Sequence, residues 1–359
     1  MKVPIMSVNE AVDDIYSDSE DEAGPTEIEC GLNGGDIRVP EPDENQNCEQ
    51  IQWTDYPNGN WDDIQLTNFA AGPSSLARNV KSAVDAFNLF LTDEICSVIL
   101  KYTTQRMKSN IKKISEKNSN LDSYMVPLER NELNAFFGLL VCMAVNHDQS
   151  KSIKSLWSSD TRFSVPIYHS TMTRNRFEWL MRIIRFDDMN TRDERKLTDK
   201  LAAIREMTSL FKERCKIMYR VSRNVTIDER IVRFDGRCPF KIYMPTKPDP
   251  YGIKLWVLAD AESRYISDFN VYLGKTITTN DSNAKRASLG YEVTIELMKN
   301  LRPGHHLTVD NFFTSYKLAQ DLLHMKHTMT GTIRLNRKEV PKTMYLCPDP
   351  LNPKKTCIV

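Results

Sequence analysis

The sequence predicts a mixed α/β fold: an acidic N-terminal tail without stable structure, a helical domain, and then an incomplete mixed sheet with helical crossovers. Three observations predict it. Acidic residues crowd the first 63 positions, apolar residues from about 64 to 219 recur at helical spacing, and at Val225 the period changes to the alternation of strands. The expected units are 1–63, 64–219, 220–345 and a terminal stretch 346–359.

The chain has 359 residues, long enough for two domains, and its 48 basic and 48 acidic residues balance formally to zero. That balance hides an asymmetry. Up to Asp63, 17 acidic residues stand against 2 basic ones, a net of −15, so the remainder carries +15. With few apolar residues and dispersed Pro and Gly, the tail cannot bury enough surface to offset its ordering entropy. Ser17 and Ser19 in it each have Glu three positions downstream, a context that acidophilic kinases favour. The basic body either attracts a polyanion such as DNA through counterion release or is a merely solvated Lys/Arg surface. Eight scattered cysteines with no Cys-x-x-Cys pair read as reduced thiols. The longest apolar run, Ala135 to Val145, falls short of the roughly 20 residues a membrane-spanning helix needs, so no membrane partner is expected.

In the helical domain, Thr92 is an N-cap for a helix with Asp93 and Glu94 in its first turn and Ile95, Val98, Ile99 and Tyr102 along one stripe. Pro127 opens a second, with Leu133, Phe136, Phe137 and Leu140. A third begins near Ser170 and buries Phe177, Leu180, Met181 and Ile184. Its other side carries Arg174, Arg182 and Arg185, a stripe that either lies along DNA phosphates or faces water. Leu197, Leu201, Ile204, Thr208, Phe211, Cys215 and Met218 alternate spacings of four and three, a heptad seam for packing within the domain or for a homodimer.

Strands are expected at 225–234, 240–245, 253–260 and 266–273, separated by Asp235-Gly236, by Pro248 to Gly252 and by the polar stretch around Glu262. A helix with Leu289, Val293, Leu297 and Leu301 follows, then a strand at 306–313, a helix from about Ser315 with Leu318, Leu322 and Leu323, and a strand near 327–335. Strands in succession followed by alternating helix and strand make a mixed sheet with crossovers, the order of a ribonuclease-H-like core.

Asp228 and Asp310 each interrupt an apolar, β-prone run, and an ionised group is expensive to desolvate unless solvent, a cation or a hydrogen-bond partner receives it. Either residue could simply sit on the wet face of a half-buried strand. If the first and fourth strands lie parallel and adjacent, however, the two carboxylates meet in one site, where Mg²⁺ is the natural occupant. Asp260 ends a strand and reads as a turn residue, and Asp321 is expected on a helix facing away. His305 and His306 lack a Cys or His at ligand spacing for zinc.

The blocks Thr226-Ile-Asp-Glu, Gly236-Arg-Cys-Pro-Phe-Lys-Ile-Tyr-Met-Pro, Tyr251-Gly-Ile-Lys, Thr308-Val-Asp-Asn-Phe-Phe-Thr-Ser and Gly331-Thr-Ile-Arg-Leu-Asn-Arg closely resemble the piggyBac-type transposases. Upstream, Ala135-Phe-Phe-Gly-Leu-Leu, Ser155-Leu-Trp-Ser and Arg176-Phe-Glu-Trp-Leu-Met-Arg extend the resemblance. It implies a DNA transposase with Asp228 and Asp310 on the first two catalytic positions, Mg²⁺ as cofactor, and double-stranded DNA as partner, both transposon ends and a T/A-rich target. It further implies a homodimer, nuclear localisation, and phosphate contacts from Arg237, Lys241, Lys247 and Lys254 around the Arg-Cys-Pro-Phe and Lys-Pro segment. The family's third catalytic aspartate lies well beyond the Gly-Thr-Ile-Arg block, and neither Asp260, Asp321 nor Asp349 substitutes for it. Little or no DNA cleavage by this chain alone is therefore expected. The alternatives are a non-catalytic DNA- or protein-binding module and an inert remnant.

Overall fold

The computed structural model describes residues 70–116, 122–158, 160, 165–245, 247, 250–274, 288–334, 337, 339–340 and 357–358. The acidic tail 1–63 with Ser17 and Ser19, and Asp349, lie outside the described residues.

A two-residue strand β1 (Gly72–Pro73) pairs antiparallel with β2 (Tyr219–Arg220), bringing the two ends of the helical region together. Between them run α1 (Ala83–Phe90), α2 (Asp93–Ser115), α3 (Arg130–Val145), α4 (Ile153–Leu156), α5 (Pro166–Thr171), α6 (Arg174–Ile183), α7 (Met189–Lys196) and α8 (Arg205–Met218). Local chemistry sets the starts. Ser82 and Asp85 form a reciprocal capping box on α1, and Thr92 caps α2 through the Ile95 N–H, as its sequence suggests. Ile95, Ile99 and Met107 of α2 meet Leu133, Phe136 and Leu139 of α3 and Phe177 and Leu180 of α6 in one buried cluster.

Three helical expectations are corrected. The second helix starts at Arg130 rather than Pro127, and Phe137 and Leu140 are only partly buried. The third is two helices, because Met172 is extended and the Thr173 side chain caps a new start at Arg176 N–H. The heptad seam is interrupted: α7 ends at Lys196, Leu197 is 84% exposed, and the Asp199 carboxylate accepts from Leu201 N–H in a turn before α8 begins.

Beyond β2 come β3 (Asn224–Arg233), β4 (Lys241–Tyr243), β5 (Tyr251–Asp260), β6 (Ile266–Val271), α9 (Leu289–Met298), β7 (His306–Val309), α10 (Tyr316–His324), β8 (Thr328–Ile333) and β9 (Cys357–Ile358). β5 pairs antiparallel with β3 along one edge and with β4 and β6, end to end, along the other. β7 is parallel to β3, β8 is parallel to β7, and β9 closes antiparallel on β8. The first strand of the sheet, β3, thus lies inside it, flanked by β5 and β7, and it is parallel to the strand that leads to Asp310, as the expected core requires. Alternation does the rest. Val225, Ile227, Trp256, Leu258, Leu307 and Val309 pack beneath Val293 and Leu297 of α9 and Leu318 and Leu322 of α10. The helical region docks on the sheet through α8 and β6: Lys212 and Lys216 reach Asp268 at 3.3 and 3.6 Å, and Tyr265 Oη donates to the Cys215 carbonyl at 2.7 Å.

The strand expected over 306–313 stops at Val309 because the chain turns at once: Thr314 N and Oγ1 both donate to the Asp310 carbonyl, at 3.2 and 2.7 Å. Gly331, opposite Val309 on β8, makes room for that turn, since a Cβ there would collide with Thr314 Oγ1 and come within 3.0 Å of the Val309 carbonyl oxygen. Asp260 is fully a turn residue: its carboxylate accepts from the backbone N–H groups of Ser222, Glu262 and Ser263. Asp321 accepts from Tyr291 Oη at 2.6 Å and faces α9.

At the start of β7 and β8 two histidines are buried together. His305 N–H donates to His327 Nδ1 at 3.3 Å, and His305 Nδ1 donates to the Ser222 carbonyl at 2.9 Å. Burial holds both rings neutral, with His327 pushed down to about 4.

Two outcomes follow. Gly331→Ala should lower stability by about 1–3 kcal/mol in thermal melts, the cost of overpacking at a site with backbone on one side. Because the unfolded chain takes up a proton on His327 near pH 6.5 while the folded one resists until about 4, stability should fall as pH drops through that interval, and the lowered His305 acts in the same direction. His327→Asn should flatten the melting-temperature profile there.

Candidate active site

Asp228 lies on β3 and Asp310 immediately after β7. The two parallel strands are in register at Thr226 with Thr308 and Ile227 with Val309, so the next step brings Asp310 beside Asp228, on strands about 4.8 Å apart. Ile227 and Val309 face the helices; Asp228 and Asp310 are both exposed. Thr226 Oγ1 donates to the Thr308 carbonyl at 3.0 Å and ties the two strands one turn of the pleat below.

Each carboxylate is steadied by its own backbone. Asp228 Oδ1 accepts from Glu229 N–H at 2.7 Å, and Asp310 Oδ1 accepts from Phe312 N–H at 2.9 Å. Crowding by the surrounding protein raises the Asp310 pKa, the Phe312 N–H opposes it, and the charges of Glu229 and Asp228 add to the rise.

The third acid nearby, Glu229, belongs to the other face and is occupied. Its oxygens receive Lys247 at 3.4 Å and Lys254 at 3.5 Å. Lys254 also sits 3.9 Å from the centre of the Trp256 ring and 5.4 Å from that of Phe312, and those two rings stack 5.2 Å apart. A chain of contacts thus runs from Glu229 through Lys254 and the two rings to the residue whose N–H holds Asp310.

The structure redistributes the basic residues chosen from sequence. Arg237 is exposed, and Lys241 donates to the Gly236 carbonyl at 2.7 Å while keeping one flank toward solvent. Lys247 and Lys254 are drawn to Glu229, and Lys254 is largely covered. Arg174 and Arg182 are surface groups sharing Glu178 at 3.5 and 3.8 Å. Arg185 leaves the stripe altogether: α6 ends at Ile183, and the Arg185 guanidinium turns inward to donate to the carbonyls of Arg182 and Ile184. A helix-long periodicity argument fails there because the helix has already stopped.

Sequence reasoning missed Arg230 and Arg264, which line an open depression with Thr226, Asp228, Glu229, Val257, Ala259 and Ile266. Arg230 is two residues along β3 from Asp228 and was visible in the alternation. Arg264 was not, since it reaches the site through a left-handed turn (φ 64°) whose N–H donates back to Asp260.

Two exposed carboxylates form an oxygen-only donor set, which suits a hard divalent cation. They would supply two of its ligands. Among the described residues, no group of three or more His, Cys, Asp or Glu side chains is placed to hold a metal ion. No helix among them is long and apolar enough to cross a membrane.

A mixed sheet that sets two acidic side chains on neighbouring parallel strands, backed by two crossover helices, defines the class of the transposase core. The family model described as "Transposase IS4" matches residues 82–359, and the chain belongs to that family, in its piggyBac-type branch. The human piggyBac transposable element-derived protein 3 is 27% identical over 268 residues, which cover 74% of this chain and 42% of that protein. The human chimeric ERCC6-PGBD3 protein is also 27% identical over 268 residues, 74% of this chain and 23% of its own length. The chain therefore spans less than half of either relative. The piggyBac transposase in a cryo-EM synaptic complex with hairpin DNA superposes with a TM-score of 0.69 at 35% identity, covering 78% of this chain and 56% of that one. Transposases of this kind generally use a divalent metal.

Lys254→Met should release Glu229 and the Phe312 ring together. The expected result is a loss of about 1–2 kcal/mol in thermal stability with faster hydrogen exchange at the Phe312 N–H, while Lys241→Met, on the outer edge, should leave that exchange unchanged.

Proposed function

We propose that this chain is a DNA-binding, piggyBac-type transposase core in which Asp228 and Asp310 are the two acidic residues that would hold Mg²⁺ against a DNA phosphate. The observation that supports this reading is the parallel register of β3 and β7, which ends at Ile227 with Val309, one residue before the two exposed aspartates. The solved piggyBac transposase is in complex with hairpin DNA, and the body of this chain carries the +15 charge that a polyanion would neutralise.

Asp228 and Asp310 would hold a divalent cation there, and its chemistry would be Lewis-acid assistance to an in-line displacement at phosphorus. The chain's own side chains do the positioning. Asp228 and Asp310 are exposed, and each has Oδ1 held by a backbone N–H, of Glu229 and of Phe312. Glu229 holds Lys247 and Lys254 at the margin, and Arg230 and Arg264 present cations to an approaching phosphate. Transposon ends and a T/A-rich target are the corresponding substrates, a homodimer the corresponding assembly and the nucleus the corresponding place.

A second reading has its own support. Since no third acidic ligand converges among the described residues, this chain by itself binds DNA or a partner with little or no cleavage. One pair of measurements separates the two. In an excision assay with Mg²⁺, product formation that Asp228→Ala abolishes supports the enzyme. Equal signal with and without the substitution, together with retained duplex binding, supports the binding module, and failure to bind duplex DNA at all overturns both. Loss of Mg²⁺ to a chelator should leave duplex binding by the wild-type chain unchanged within about twofold, because phosphate neutralisation by Lys and Arg does not need the cation.

A further inference from the structure

Away from the carboxylate face, the helical region holds a small polar hollow between α2 and α7, lined by Gln105, Arg106, Ser109, Lys113, Met189 and Asn190. Arg106, Ser109 and Lys113 stand at i, i+3 and i+7 and therefore share one flank of α2. The Nε–H of Arg106 is buried and meets no acceptor among the described residues. Such a donor is costly to leave unmatched, and a guanidinium is best matched by a carboxylate or a phosphate.

The walls of the hollow are fixed. Gln105 Nε2 donates to Asp188 Oδ1 at 2.9 Å, the same oxygen accepts the Asn190 N–H at 2.9 Å, and Thr103 Oγ1 below accepts the Arg185 N–H at 3.1 Å. The nearby Asp188 carboxylate would oppose an anion, but it does not line the hollow and is engaged by the Gln105 side chain and the Asn190 N–H. The Asn190 and Gln105 N–H groups hold its pKa down, and the charges of Arg195 and Lys101 act in the same direction. Among the described residues, no acidic side chain lines the hollow itself.

We propose that this hollow seats one backbone phosphate of duplex DNA, with Arg106 and Lys113 as its cations and Ser109 and Gln105 as neutral donors at its rim. The proposal rests on the DNA-binding reading above and gives it a point of contact on the helical region separate from Arg174 and Arg182. An open hollow on one side of a helix pair, with Ser109 and Lys113 exposed, admits a phosphate that is part of a chain. The contact is to backbone and carries no base sequence.

The test measures duplex binding of the full chain across a salt series. Wild type is compared with Arg106→Gln, with Ser109→Asp, which places a negative charge at an exposed position without touching the core, and with Arg106→Lys. Melting temperatures are taken for each. Arg106→Gln and Ser109→Asp should each weaken binding about tenfold at fixed salt, equally for unrelated sequences. Arg106→Gln should also lower the slope of log affinity against log salt by about 0.9, and Arg106→Lys should restore the slope. Wild-type binding that both variants leave unchanged in affinity and slope overturns the seat and leaves the DNA reading standing. Inorganic phosphate that binds wild type and not Arg106→Gln, with duplex affinity unchanged, reassigns the hollow to a free anion and overturns the proposal. A wild-type chain that binds no duplex overturns both.

Discussion

The register between β3 and β7 is the constraint on which the rest of the sheet turns. A slip of one residue would exchange the two faces, burying Asp228 under α9 and α10 and exposing Ile227. Several independent contacts forbid it. Val225, Ile227, Leu307 and Val309 are all committed to the helical side, Thr226 bonds across to Thr308, and Gly331 on the next strand leaves the space that Thr314 fills as the chain turns after Asp310. The position of an exposed carboxylate is thus determined by buried aliphatic groups that never touch it.

Charge is arranged with similar economy. The acidic side chains around the sheet differ less in sequence context than in what receives them. Asp260 is consumed by three turn N–H groups, Asp268 is buried and joins α8 through two lysines, and Glu229 takes Lys247 and Lys254. Asp228 and Asp310, both exposed, take only backbone N–H donors among the hydrogen bonds described, from Glu229 and from Phe312. Burial raises the Asp268 pKa even with two lysines beside it, which fits a group whose task is to join two parts of the chain.

Much of this architecture was legible because strand alternation and helix spacing report burial directly. The change of period at Val225, the turns at Asp235-Gly236 and Pro250, and the acids interrupting two β-prone runs all carry their physical cause within a few residues. What stayed hidden depended on contacts between distant segments. Arg185 looks like a surface arginine until α6 is seen to end two residues before it, and Lys254 looks like a phosphate ligand until Trp256 and Phe312 are seen to enclose it. Arg176 gave no local sign that its guanidinium would grip Glu132 at 2.6 Å and the carbonyls of Tyr124, Val126 and Pro127. The heptad spacing from Leu197 to Met218 is real as a pattern, but the Asp199 turn breaks the backbone that would have made it a continuous seam.

β4 and β6 divide one margin of β5 between them, the first covering Tyr251 to Ile253 and the second Leu255 to Ala259. Neither is long, the ladder with β6 shifts register between Leu258 and Ala259, and α8 packs against the longer of the two. A second polypeptide seeking to extend the sheet on that side would find no straight ladder of free amide and carbonyl groups to read. Splitting the margin between two short segments works against extension of the sheet by a third strand there.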